Sequence, residues 1–198
     1  MSDTKQVALG FRAHSGWAAV VAIGGSLRAP EVIDRRRIIT ADPAIPGSKQ
    51  PYHAAEKLEL KAAEKLIARC TESSRLLARQ AVREVLDDLR KSGHKPIGCG
   101  ILLASGRPVG TLEATLASHA MLHTAEGQLF RDVLARASSH WKLPVTGVRE
   151  RELFDQATAQ LRIPAEKLRL RLNEMGKAIG SPWTQDEKLA ALVAWLVL

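Results

Sequence analysis

The alternation of apolar and polar positions predicts three strands at the start of the chain and two more further on. Residues 6–13 and 17–24 are strand-like runs separated by a tight turn, and a third run covers 31–39. Short loops between them favour an antiparallel meander. The wholly apolar run 97–104 is typical of a strand buried on both faces, and 143–150 is the fifth strand-like run.

Helical periodicity covers most of the remaining chain, with apolar residues recurring at spacings of three, four or seven. The segments with this period are 53–92, 111–141, a stretch between the fifth strand and residue 163, 165–179, and the C-terminal stretch from 184. Thr111 is a suitable N-cap for the second of them. Thr184 and Glu187 have the spacing of a capping box, which indicates where the last helix begins.

Length and composition favour one domain. A chain of 198 residues with 45% hydrophobic residues is enough for a single core. We therefore expect one domain over 1–198, in which 151–198 is a helical portion that packs on the rest. No long apolar run predicts a membrane helix, and the polar N-terminus does not resemble a signal peptide. With only two cysteines, the composition favours a cytoplasmic protein with reduced thiols.

The positive charge is unevenly distributed along the chain. The net charge is +8, and residues 1–110 hold 18 basic against 11 acidic residues, whereas residues 111–198 hold 11 against 10. Such an excess attracts phosphate backbones or other anions, although a solubilising surface is the simpler interpretation. Aromatic residues make up only 4% and are not interleaved with the basic ones. A stacking platform for single-stranded nucleic acid is therefore not indicated.

Two stretches carry a resemblance to a known family. "ALGFRAHSGWAAVVAI" resembles the first hairpin of the bacterial Holliday-junction resolvases, and "GSPWTQDEKLAALVAWLVL" is similar to their final helix. The element order βββ-α-β-α-β-α is also that of the ribonuclease H-like fold. The resemblance implies an α/β protein with a mixed five-stranded sheet, made of the three-strand antiparallel meander plus two parallel strands. Helices flank this sheet, and the first strand is central.

The resemblance also implies where a catalytic site would lie. Enzymes of this family hold two divalent metal ions with carboxylates from the first strand, the fourth strand and the last helix. Here Arg12 stands at the first position, and Ser105 and Arg107 follow the fourth strand without an acid. Only Asp186, at the start of the last helix, matches. Ordinary two-metal nuclease activity is therefore not expected.

The substituted positions suggest a ligand-binding pocket of the opposite charge. In this fold Arg12, Arg107 and Lys188 are expected to converge, and His14 shares the strand face of Arg12. Guanidinium groups bind phosphate or carboxylate through two parallel hydrogen bonds. The pattern thus indicates an anion site. A structural ion pair between Arg12 and Asp186 is the slightly simpler interpretation, and both stay open.

A second group of polar residues lies on one face of the predicted helix 111–141. His119, His123 and Glu126 are spaced by four and three residues. Two histidines four apart can chelate a divalent metal, with the carboxylate as a further ligand or a base. His123 also falls in the apolar stripe, where a histidine is more often a hydrogen-bonded core residue, so a metal is not favoured. Gly127 in mid-helix predicts a close neighbour, either a strand backbone or a ligand.

Two functional hypotheses follow, and no cofactor is identified. The first is a non-nuclease binding module that recognises an anion, a phosphate-rich ligand or nucleic acid on a ribonuclease H-like scaffold. The second is a hydrolase of unassigned reaction, with or without a metal ion, that uses His123, Glu126 and Asp186 as catalytic residues and Arg12 as an anion clamp. Whether the protein is an enzyme stays open at this stage.

Overall fold

A computed structural model describes residues 5–104 and 108–198. Five strands form one sheet in the order β3-β2-β1-β4-β5. They are β1 Lys5–His14, β2 Trp17–Gly25, β3 Pro30–Ile39, β4 His94–Leu103 and β5 Val145–Arg149. The first three pair antiparallel, whereas β1 pairs with β4 and β4 with β5 in parallel. The predicted meander with two parallel strands and a central first strand is confirmed.

Seven helices and one short 3₁₀ turn, Glu150–Glu152, lie in the described part of the chain. The helices are α1 Pro51–Ala55, α2 Leu60–Lys91, α3 Leu112–Leu116, α4 His119–His140, α5 Leu153–Leu161, α6 Ala165–Ile179 and α7 Gln185–Trp195. The two long predicted helices are each divided, because Glu59 and Ser118 have extended backbone conformations. The apolar spacing continues through these short breaks, so periodicity alone does not reveal them. None of these helices is long and apolar enough to cross a membrane.

The sheet separates two apolar layers. Alternate β1 residues such as Leu9 and Phe11 belong to the layer that β1 forms with α2 and α4. The β2 residues Val21 and Ile23 belong to the opposite layer, which contains most of α7 together with residues of α5 and α6. Successive strand residues point to opposite faces. Arg12, next to Phe11, therefore points to the α7 side.

Helix α7 lies unusually close to the sheet. A Cβ added to Gly10 of β1 would overlap the carbonyl oxygen of Ala190, and one added to Gly100 of β4 would lie 2.6 Å from that of Val193. Only glycine allows the two backbones to approach so closely. This contact sets the first turn of α7 beside the C-terminal end of β1.

The segment before α7 is held by side chains from two other elements. The Trp183 indole donates a hydrogen bond to the Leu172 carbonyl of α6 at 2.7 Å. Arg35 of β3 donates to the carbonyls of Gly180 and Ser181, each at 3.0 Å. The predicted capping box of Thr184 is present at the start of α7. These contacts determine where the first turn of α7 begins.

Candidate functional site

Arg12 binds two carboxylates at the C-terminal edge of the sheet. Its Nε and Nη2 donate to the two carboxylate oxygens of Glu150, at 3.3 and 3.0 Å. Its Nη1 donates to Asp186. Every nitrogen of the guanidinium group thus has a carboxylate partner. We call Arg12, Glu150 and Asp186 the Arg12 site.

Three elements meet at this edge because β1, β4 and β5 are parallel. Arg12 lies near the end of β1, Glu150 is the first residue after β5, and Asp186 is in the first turn of α7. Negative side chains are favoured at a helix N-terminus, so the position of Asp186 also suits the helix. The sequence analysis did not identify Glu150. Its position directly after a strand parallel to β1 was the signal that placed it at this edge.

The charges of the Arg12 site show which role the arginine has. The side chains of Arg12 and Asp186 are 22% and 21% exposed, and that of Glu150 is 45% exposed. Two carboxylates and one guanidinium leave one negative charge in excess. A phosphate approaching this edge would be repelled by that charge and would compete with two carboxylates for Arg12. The geometry therefore favours the structural ion pair over the predicted anion clamp.

His14 extends the Arg12 site toward the β1–β2 turn. Its ring stacks on Trp17, with centroids 4.2 Å apart, and its Nε2 lies 3.1 Å from Asp186 Oδ1. Burial lowers the pKa of His14, the charges of Arg12 and Arg37 lower it further, and Glu150 acts in the opposite direction. The contact with Asp186 favours a protonated ring, but that carboxylate is already paired with Arg12. The neutral ring is therefore the favoured form.

The other predicted members of the anion pocket do not join this site. Lys188 lines a cavity between α6 and α7 together with Phe154 and Arg169. A helix turns about 100° per residue, so a side chain two positions after Asp186 points away from it. Arg107 lies outside the described residues. The described chain therefore does not contain the predicted convergence of Arg12 with Lys188.

The histidines of α4 form a separate site with a residue that the sequence analysis missed. His53 of α1 packs against His119 and His123, with ring centroids 5.3 and 4.6 Å away. The rings of His119 and His123 lie 4.7 Å apart. We call these three residues the histidine cluster. His123 is exposed and is therefore not a core residue.

Glu126 lies beneath the histidine cluster. It is only 1% exposed, and its Oε2 lies 2.9 Å from Nδ1 of His53. Its Oε1 accepts a hydrogen bond from the His53 backbone N–H at 3.2 Å. The carboxylate thus contacts His53, not the two histidines of its own helix. Of the predicted group, His119 and His123 lie together, and the third residue whose side chain could join them as a metal ligand is His53.

The predicted hydrolase residues do not form one site. Glu126 belongs to the α4 side of the sheet, whereas Arg12 and Asp186 lie on the α7 side. The sheet itself stands between them. Gly127, which predicted a close neighbour, is approached by the guanidinium group of Arg131 and not by a strand backbone.

The basic residues of the first half follow two patterns. In β3, Arg36 pairs with Asp34 and Asp88, at 2.7 and 2.9 Å, and Arg37 lies 3.8 Å from the centre of the Trp17 ring. With Arg35 bound to backbone carbonyls, each arginine of this strand has a partner within the protein. The β3 arginines therefore stabilise the fold.

Between α2 and α4 the arginines are arranged differently. A surface groove of about 580 Å³ is lined by Arg75, Arg79 and Arg136, with Asp132 as its one carboxylate. Arg75 lies 3.3 Å from Glu72. Arg79 and Arg136 form no ion pair with any described residue. We call this surface the arginine groove.

Comparisons with known proteins identify the fold. Neither protein-family models nor curated protein sequences match this chain. The structure of Thermus thermophilus RuvC is similar, with a TM-score of 0.57 and 10% identity over 96% of this chain and 92% of that one. The T. thermophilus RuvC structure in complex with a Holliday junction substrate has a TM-score of 0.56 and 10% identity, over 96% of this chain and 91% of that one. The Aquifex aeolicus PPX-GPPA enzyme has a TM-score of only 0.40 and 9% identity, over 81% of this chain and 41% of that one. The chain therefore has a ribonuclease H-like fold, as the sequence resemblance implied.

Proposed function

We propose that this protein binds nucleic acid without cutting it by two-metal chemistry, and that the phosphate backbone lies in the arginine groove. The observation that carries the proposal is the pair of groove arginines, Arg79 and Arg136, which have no carboxylate partner among the described residues. Arg12 and Arg36, by contrast, are each paired with two carboxylates. Guanidinium groups with free donors bind phosphate oxygens strongly.

The absence of two-metal chemistry is inferred from the charge of the Arg12 site. A guanidinium group contacts both Glu150 and Asp186, so the two carboxylates that remain near this edge are already neutralised in part. Two magnesium ions require several carboxylates to offset their charge. A divalent ion entering here would first have to displace Arg12. Cleavage with added Mg²⁺ is therefore not expected.

Nucleic acid is favoured over a small anion for two reasons. The arginine groove lies along two helices, and the adjoining cavity toward α1 shares Arg75 and Arg136 with it. Such an extended surface suits a polymer with repeated phosphates. A protein with the same fold, T. thermophilus RuvC, has been solved with a Holliday junction substrate. The net charge of +8 also favours association with a polyanion.

Fluorescence anisotropy with labelled four-way junction, duplex DNA and RNA tests the proposal. The Arg79→Gln/Arg136→Gln double variant removes both unpaired groove charges. We expect its affinity to fall about tenfold. The slope of log K against log salt concentration should become less steep by about 1.8, because each phosphate contact contributes about 0.9 to that slope. The charge-matched control is Arg151→Gln/Lys167→Gln, which changes two exposed side chains outside the groove.

The outcomes separate the proposal from non-specific attraction. An equal loss in the groove variant and in the control would show that the net charge alone drives binding, and absence of binding by the wild type would refute the proposal. Incubation of the wild type with the same ligands and Mg²⁺ is expected to leave them intact. Cleavage that Asp186→Asn abolishes would contradict the second half of the proposal.

A further inference from the structure

Three imidazole rings from two helices converge at the histidine cluster. One ring nitrogen from each of His53, His119 and His123 lies within 4.8 Å of the others. His119 and His123 are one turn apart on α4, whereas His53 comes from α1, which packs against that turn. Three neutral imidazoles facing a common point are the ligand set of many sites that bind a transition metal.

The distances fit a tetrahedral metal site. Nε2 of His119 lies 3.1 Å from Nε2 of His123. Two nitrogens bound to the same tetrahedral Zn²⁺ at 2.0–2.1 Å are separated by about 3.3 Å. The two α4 histidines thus already have nearly the spacing of two ligands of one ion. A ring nitrogen of His53 lies within 4.8 Å of them, so the His53 ring has to move closer to complete the set.

Glu126 supplies the feature that distinguishes this cluster from a chance grouping of surface histidines. Its buried Oε2 lies 2.9 Å from Nδ1 of His53, within ion-pair distance, and neither of these two buried atoms forms a hydrogen bond with a described residue. A carboxylate against one ring nitrogen orients the histidine and makes the opposite nitrogen a better ligand. Nε2 of His53 is thereby left for the metal. A carboxylate is costly to bury, so a positive charge beyond His53 would stabilise it.

We propose that His53, His119 and His123 bind one Zn²⁺ ion, with Glu126 as the residue that positions His53. His119 and His123 are exposed, so the fourth coordination position faces solvent and takes a water molecule. Bound zinc increases the acidity of such a water. The ion also links α1 to α4. The site is independent of the Arg12 site, which lies on the other side of the sheet.

Zinc titration of the untagged full-length chain, stripped with a chelator, tests the site. Isothermal titration calorimetry and elemental analysis are expected to give one Zn²⁺ per chain, and thermal unfolding is expected to shift upward with zinc. His119→Ala and His53→Ala should each lower the affinity at least 100-fold. His94→Ala is the matched control, because His94 lies outside the cluster and contacts Ser92. It should bind zinc like the wild type.

Glu126→Gln tests the positioning role separately. It preserves the size of the side chain and is expected to lower the zinc affinity 10- to 100-fold while the stoichiometry stays at one. It should also alter the visible spectrum of bound Co²⁺, which a merely structural role of Glu126 would not do. Unchanged affinity and spectrum in a folded variant, judged by circular dichroism, would refute this role.

The site itself fails on either of two results. The first is a wild type that binds no stoichiometric zinc. The second is a His53→Ala variant that binds as tightly as the wild type, which would reduce the site to the His119–His123 pair of one helix. Because His119 is exposed, His119→Ala is not expected to disturb folding. If His53→Ala does not fold, the zinc affinity of His119→Ala still tests the site.

Discussion

Arg12 provides a fixed positive charge between Asp186 and Glu150 at the end of the sheet. Its three nitrogens contact Asp186 and Glu150, two carboxylates that would otherwise repel each other at the end of the sheet. Partial burial strengthens this interaction, because the side chains of Arg12 and Asp186 are mostly shielded from water. A single residue thereby holds the two carboxylates together.

Arg12→Ala is expected to leave Asp186 and Glu150 free to bind a divalent cation. Without the guanidinium group the free energy of unfolding is expected to fall by about 1–3 kcal/mol, because two carboxylates lose their partner. Mg²⁺ prefers carboxylate oxygens, so it should stabilise Arg12→Ala but not the wild type in denaturant unfolding. Arg151→Ala, at an exposed arginine near Glu152, is the control. Equal effects of Mg²⁺ on all three proteins would contradict this interpretation.

His14 makes stability depend on pH in a direction that its surroundings determine. Burial, followed by the charge of Arg12, lowers its pKa below the ordinary value of 6.5. The folded state therefore binds fewer protons than the unfolded state just below that pH. The contribution of His14 to stability is present above pH 6.5 and is lost as the pH falls toward its folded-state pKa.

Replacing His14 by Gln is expected to remove this part of the pH dependence. The measurement is the free energy of unfolding of wild type and His14→Gln at about pH 7.5 and about pH 5. The wild type should lose more stability on acidification than the variant does. His94→Gln, at a histidine outside the site, should behave like the wild type. A pH dependence that is the same in all three proteins would show that His14 does not contribute.

At the scale of elements, the packing of α7 determines the geometry of the Arg12 site. Gly10 and Gly100 let the helix backbone lie directly on β1 and β4, which brings Asp186 to Arg12. A helix at an ordinary distance from the sheet would hold Asp186 farther from Arg12. The glycines of the strands are thus part of the site, although they contact none of its side chains.

Gly10→Ala is therefore expected to destabilise the protein and to disturb the Arg12 site. The added methyl group meets the Ala190 backbone, which cannot move independently of α7, and overpacking of this kind costs about 1–3 kcal/mol. Gly110→Ala is the matched control, because its Cβ would make an ordinary 3.7 Å contact with Ala114. Denaturant unfolding of both variants measures the difference. Equal stability of the two would contradict the close approach of α7.

On the other side of the sheet, the break before α2 determines the geometry of the histidine cluster. Glu59 is extended, so α1 is free to turn and pack against both α2 and α4. His53 then lies against His119 and His123, far from them in sequence. One uninterrupted helix from residue 53 would have carried His53 along the axis of α2 instead.

At the scale of the whole molecule, the sheet separates the Arg12 site from two other polar surfaces. The Arg12 site faces α7, whereas the histidine cluster and the arginine groove belong to the layer of α2 and α4. The proposed zinc site and the proposed nucleic-acid surface are thus on one side of the protein, and the Arg12 site is on the other. Substitutions in the Arg12 site therefore make no direct contact with the other two surfaces.

Much of this architecture was predictable because it depends on local patterns. Period-two and helical spacings predicted the five strands, the last three helices and the capping box at Thr184, since these features involve residues close in sequence. The presence of Arg12 where the family resemblance implies a carboxylate was likewise evident from one position in the first strand. That two-metal activity is not expected remains a prediction from the sequence.

Only the tertiary structure decided which polar residues meet. Arg12 pairs with Glu150 from a position 138 residues away, and Glu126 serves His53, 73 residues before it. Periodicity describes the face of one element and carries no information on which element covers that face. The sheet separates Glu126 from Asp186, and the rotation of α7 turns Lys188 away, because strand order and helix packing bring distant residues together or hold them apart.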